Sequence, residues 1–167
     1  MNRKTVFKIF LVWNYDKEER WLNEMAQQGW ALMSVGFLYY VFERCEPGAY
    51  TIRLEMHKRD ESYVSFIEQT GAEYVGRMAL WIYFRKSSEL GPFDLLSDLD
   101  SKIEHLGRIS TMLTIFGVMN LGIGVHNSIN GLHIGWINLL CATLLMYALG
   151  RIQGMKAALE NERQLHE

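Results

Sequence analysis

The side chains best equipped for chemistry in this 167-residue chain are dispersed. Its five histidines, His57, His105, His126, His133 and His166, fall apart from one another. Asp98-Leu99-Asp100 with Glu104-His105 offers oxygen and nitrogen donors, but acids opening a helix are favoured by its dipole without any metal. His126 and His133 bracket a polar segment and would have to reach across it to share an ion. Glu18 and Glu19 lie between Lys17 and Arg20, as on the solvated face of a helix. Cys45 and Cys141 stand alone and form no paired-thiolate motif. No P-loop, dinucleotide fingerprint, zincin motif or nucleophile elbow is present. The expectation is therefore no catalysis, no metal and no cofactor.

What does gather is aromatic. Trp21, Trp30, Tyr39, Tyr40, Phe42, Tyr50, Tyr63, Trp81 and Tyr83 all fall within the first 86 residues. Such residues at helix and strand spacing usually form a core. The alternative is a cleft lined by Trp21, Trp30, Tyr50, Trp81 and Tyr83 that takes a small apolar ligand.

The elements that must position them follow from periodicity. Val6–Trp13 reads as a strand, and Asp16–Gln28 as a helix with Trp21, Leu22, Met25 and Ala26 on one face and Gly29 as its stop. Trp30–Val35 and Phe37–Arg44 are strand-like, separated by Gly36. Tyr50–His57 alternates apolar with polar, and Glu61–Thr70 is a second helix stopped by Gly71. Strands near Glu73–Arg77 and Ala79–Lys86 complete a βαββ order that occurs twice. The halves align at an offset of 42, with Trp21 on Tyr63, Leu22 on Val64, Met25 on Ile67 and Gly29 on Gly71. A two-residue gap brings Val35-Gly36 onto Val75-Gly76. An α+β fold is expected, a duplicated βαββ domain whose two units share one antiparallel sheet.

From Ile109 to Gly150 the chain runs 42 residues without Asp, Glu, Lys or Arg, although its charged fraction of 22% predicts about nine. A charge at a bilayer centre costs about 2.5–3.5 kcal/mol on insertion scales, and a span needs about 20 apolar residues. The run therefore suits two transmembrane helices, divided at the polar segment from His126 to His133. Gly117, Gly122 and Gly124 would let them approach, Asn120 and Asn138 would pair across them, and Gly150 with Gly154 has the spacing of a dimer contact. The alternative is a buried hairpin in a soluble fold, for which the 125 remaining residues offer little cover.

Lys102 and Arg108 precede the run, Arg151 and Lys156 follow it, and the loop holds no basic residue. The positive-inside bias then puts both ends in the cytoplasm and the protein in the cell membrane. Val6–Trp13 is too short for a signal peptide and is interrupted by Lys8. The expected divisions are 1–86, the cytosolic domain; 87–108, a linker and juxtamembrane helix capped at Ser97 or Ser101; 109–150, the membrane hairpin; and 151–167, a tail helix. Residues 1–108 carry 14 basic and 16 acidic side chains, which argues against direct nucleic-acid binding.

The segment from Tyr15 to Trp30, YDKEERWLNEMAQQGW, resembles the signature of the bacterial domain-of-unknown-function family 2812. The likeness continues through Val35-Gly36, Tyr40-Val41-Phe42, Glu46-Pro47-Gly48, Thr70–Gly76, Phe93, Ser97-Asp98 and Ser101-Lys102. This resemblance implies a cytosolic domain followed by a membrane hairpin and carries no catalytic residues. It also implies a PadR-like transcription regulator as a partner. The functional expectation is a membrane-anchored sensor or adaptor that binds a small apolar ligand or a regulator protein. The alternatives are a structural accessory subunit of a larger membrane protein such as a transporter, and self-association as a homo-oligomer.

Overall fold

The computed structural model describes residues 3–58, 60–96 and 98–166, the last without its side chain. The chain divides into two compact units, Met1–Leu95 and Leu96–Glu167.

The first unit contains β1 (Arg3–Phe7), α1 (Tyr15–Gln27), β2 (Trp30–Gly36), β3 (Tyr39–Arg44), β4 (Tyr50–Met56), α2 (Glu61–Glu68), β5 (Ala72–Met78) and β6 (Trp81–Ser87). Its strands form two three-stranded antiparallel sheets, ordered β1-β3-β2 and β4-β6-β5, so the same βαββ topology occurs twice. The agreement extends to single residues. Trp30 faces Arg44 in one hairpin as Ala72 faces Lys86 in the other, and the bulges fall at Met33 and Val75, all 42 residues apart. The expected two-residue gap is absent, because Gly36 opposite Tyr39 corresponds to Met78 opposite Trp81. Gly36 belongs to its strand rather than separating two.

Nor is there one shared sheet. Each of the facing strands β2 and β5 carries a bulge, which bends a strand and sharpens its twist. They meet instead through side chains, and Arg85 of β6 bonds across to β2. A Cβ built on Gly76 would stand 3.2 Å from Val35 Cγ2, and Arg85 Nη1 donates to the Leu32 carbonyl at 3.1 Å. Helices α1 and α2 end as expected, at Gly29 (φ 80°) and Gly71 (φ 85°), where a left-handed backbone favours glycine. One core draws on both halves: Leu22, Leu32, Tyr40 and Phe42 pack with Ile52, Leu54 and Tyr83. A smaller cluster of Ile67, Ile82, Phe84 and Phe93 lies under α2.

The expected strand over Val6–Trp13 is corrected. Strand β1 ends at Phe7, and Val12–Asn14 forms a 3-10 turn leading into α1. The apolar run that suggested a strand instead leaves Phe7, Ile9 and Leu11 at 77%, 65% and 49% exposure.

The second unit is a helical hairpin, α3 (Leu99–Ile129) and α4 (Ile134–His166). Asp98 caps α3, its carboxylate accepting the Ser101 amide at 2.7 Å. Ser101 is thus inside the helix and donates, whereas Ser97 lies outside the described residues. Small residues set the seam: a Cβ on Gly124 would stand 2.9 Å from Leu139 Cγ, and one on Gly135 would stand 2.7 Å from the Ser128 amide. Gly117 packs under Met146, whereas Gly122, Gly150 and Gly154 face open space. Arg163 pairs with Asp100 at 2.9 Å where the two helix ends meet. Ile115, Phe116, Leu121, Trp136, Ile137 and Leu140 point outward, and both helices are long and apolar enough to cross a membrane.

Candidate functional site

Helix α1 buries Glu18, Leu22, Met25 and Ala26, which recur at positions i, i+4, i+7 and i+8 on one face. A carboxylate therefore occupies a core position at only 5% exposure. Glu18 Oε1 accepts a hydrogen bond from the Tyr40 hydroxyl at 2.7 Å and another from the Tyr83 hydroxyl at 2.6 Å. Tyr40 comes from β3 and Tyr83 from β6, so this one oxygen ties the first half to the second. Burial pushes the Glu18 carboxyl above its usual range, and the two tyrosine donors pull it partly back. Burial and the neighbouring carboxylate raise both phenols well above theirs, so they remain protonated donors. No Lys, Arg or His pairs with Glu18 among the described residues, and Oε2 has no described hydrogen bond.

Above this carboxylate lies a cleft of about 220 Å³, lined by Phe10, Tyr15, Phe37, Met78 and Trp81 with Glu18 among them. The β1–α1 connection, the β2–β3 turn and the β5–β6 turn each supply part of the wall. Tyr15 stacks on Trp81 with ring centroids 5.4 Å apart, and burial pushes its hydroxyl up to about 12. Leu38 (φ 65°) and Ala79 (φ 53°), one in each hairpin turn, both line the cleft in the left-handed region that side chains disfavour.

A larger hollow of about 330 Å³ flanks α2, but its walls belong to one half and include the exposed Lys58, Asp60 and Glu61. The buried Glu55 near it is engaged by the Tyr63 hydroxyl at 2.5 Å. The cleft between the halves is the better site, because it joins apolar walls to a buried acid with a free valence.

The polar side of α1 has a structural task. The Asn23 amide pairs with both backbone groups of Ile52, each at 2.9 Å, and Glu19 accepts the Leu54 amide at 3.2 Å while facing Arg53 at 3.5 Å. These bonds cover the open edge of β4, which would otherwise invite another chain.

Of the residues expected to line a cleft, Trp81 does so and Tyr83 stands behind it on Glu18. The other three belong elsewhere. Trp21 packs against Phe10, Tyr40 and Phe42; Trp30 lies beneath Lys4 and Arg44; and Tyr50 lies beneath Arg85. Their rings continue the core and its charged cover. The expected Asn120–Asn138 pair is not formed: the Asn120 amide donates to the Phe116 carbonyl one turn back, at 2.9 Å. Its own helix satisfies it. Glu18 escaped the sequence reading because an acid among Lys17, Glu19 and Arg20 looks solvated. Its spacing from Leu22 and Met25 was the signal. Among the described residues no group of three or more metal-binding side chains occurs.

Two βαββ halves around a shared core and a cleft, followed by two long apolar helices, define the class: an α+β domain with a helical hairpin. The chain belongs to the family described as protein of unknown function DUF2812, matched over residues 14–118, which takes in α1, Glu18, both tyrosines and the cleft turns. No curated protein and no solved structure matches it.

Proposed function

We propose that this protein is a membrane-anchored sensor: α3 and α4 span the cell membrane, and the α+β domain on the cytoplasmic side binds a small apolar molecule without transforming it. The observation that supports this most is the cleft between the halves, about 220 Å³ in volume. A molecule seated there touches a turn of each hairpin and so changes how the halves meet. The outward apolar residues of α3 and α4 are relieved by hydrocarbon, and Lys102, Arg108, Arg151 and Lys156 hold both ends inside. The altered domain would be read by a regulator protein of the PadR-like kind.

Topology is tested by single cysteines at Leu132 and Glu89, both exposed, in a background lacking Cys45 and Cys141. An impermeant thiol reagent on intact cells should label the first and not the second. Binding is tested by screening small apolar compounds against the full chain. A ligand should quench tryptophan emission and raise Tm by mass action, and Trp81→Ala should remove both effects while the melt stays cooperative.

A second reading is favoured by Phe7, Ile9, Leu11 and Phe37, the last 81% exposed: an adaptor or accessory subunit docking through that apolar surface. Under it, Phe7→Ser with Phe37→Ser would release a partner purified from membranes, and Trp81→Ala would not.

A further inference from the structure

Resting on the ligand cleft proposed above, we propose that its ligand is a small lipophilic cation, with Glu18 as the counter-charge and the aromatic walls as the hydrophobic and cation–π contacts. An apolar molecule alone needs no acid at the floor, and a buried carboxylate without a cation is costly to keep. Glu18 is 5% exposed, has no cationic partner among the described residues and commits only Oε1 to the tyrosines. The second oxygen is left to a ligand. The Lys8 ammonium lies over two rings, 4.9 Å from the centroid of the cleft-lining Phe10 and 4.3 Å from that of Trp21, and forms no described pair with Glu18. Tyr15 and Trp81, stacked on each other, both line the same cleft, and aromatic rings attract a cation. An anion would meet the Glu18 charge, and the Tyr40 and Tyr83 hydroxyls at the floor already donate to Oε1. Shape therefore selects a compact hydrophobe and charge selects a cation.

The test uses the full chain in detergent micelles and two probes of nearly the same shape, phenyltrimethylammonium and tert-butylbenzene, with benzenesulfonate as the anion. Binding is read from tryptophan quenching and from Tm. The wild type and Glu18→Gln are compared in the same micelles, so that partitioning of the neutral probe cancels. Glutamine keeps an acceptor for both tyrosines, and its fold is checked by near-ultraviolet circular dichroism. The expected result is that Glu18→Gln weakens the ammonium by at least about tenfold, which is about 1.4 kcal/mol, and leaves tert-butylbenzene within about twofold. Benzenesulfonate should bind neither protein. Ammonium and hydrocarbon bound alike, with no loss in Glu18→Gln, would overturn the cation and leave the apolar cleft standing. No binding of either probe by the wild type would overturn the cleft reading and this inference together. Should Glu18→Gln not fold, the wild type alone decides: an ammonium bound no more tightly than the sulfonate overturns the proposal.

Discussion

The two βαββ halves share topology, register and bulge position, yet their helices do different work. Helix α1 has 13 residues and buries four of them, whereas α2 has eight and buries only Ile67. The first helix reaches across: Asn23 and Glu19 bond the backbone of β4, an edge strand of the other half, and Glu18 takes the hydroxyl of Tyr83 from β6. The second packs on its own sheet, against β5. The matching edge strand of the first half, β1, keeps an exposed face with Arg3 and Lys4, the charged alternative to a cover. The repeated unit thus forms one domain because α1 braces the other half, whereas α2 packs on its own sheet.

The largest test of this asymmetry is Asn23→Ala. It removes both hydrogen bonds to Ile52, and a third to the Glu19 carbonyl, and leaves the amide of the fully buried Ile52 without its Asn23 partner, so it should cost about 1–3 kcal/mol in a denaturant melt. Amide exchange at Ile52 should rise with it. Ser65, the position 42 residues on, is exposed, and Ser65→Ala should stay within about 0.5 kcal/mol. Equal costs would mean that α1 braces nothing.

A smaller difference is expected where the halves look most alike. Gly29→Ala and Gly71→Ala both force a left-handed alanine, costing roughly 1 kcal/mol each. The new methyl at position 29 would stand 2.8 Å from the Cys45 carbonyl oxygen, part of the backbone. The one at position 71 would stand 2.9 Å from Leu90 Cδ1, the end of a flexible side chain. Gly29→Ala should therefore be the more destabilising by thermal melt. The reverse order would show that the first half's turn yields more easily than the second's.

These glycines, the helices around them and the clean alternation of β4 were legible because each depends on local chemistry: a left-handed stop, an apolar stripe, a two-residue period. The bracing was not. Asn23 and Glu19 look like any polar helix face until β4 arrives beside them from 29 and 35 residues away. The division into two sheets depends on bulges at Met33 and Val75, which a period-two pattern cannot distinguish from straight strand. Five aromatics suggested a cleft, and one lines it, because aromatic content reports burial more readily than concavity. Asn120 and Asn138 were expected to meet on depth alone, yet an amide that can bond its own helix needs no neighbour.

The subtlest contrast lies between the acids at equivalent positions, Glu18 and Asp60. Burial raises the Glu18 carboxyl above its unfolded value of 4.5, so the native state binds more protons than the unfolded one between that value and the folded one. Its contribution to stability is fully present below pH 4.5 and is lost as pH rises through the folded value. Asp60 is the opposite case. The hydroxyl and amide of Ser62 hold its carboxylate below 3.8, so its contribution is present above 3.8 and is lost as pH falls through the folded value. Stability measured against pH should therefore separate the two. The wild type minus Glu18→Gln difference should decline as pH climbs from 4.5 toward neutrality, and the wild type minus Asp60→Asn difference should grow as pH climbs to 3.8 and then stay flat. A Glu18→Gln difference that rises with pH would mean that its carboxylate is held by a cation within the folded chain, and the cleft would then have no charge to offer a ligand. A decline means that the domain carries an ionisation cost at its centre, which a bound cation would relieve and which the second half, with its acid spent on capping a helix, does not share.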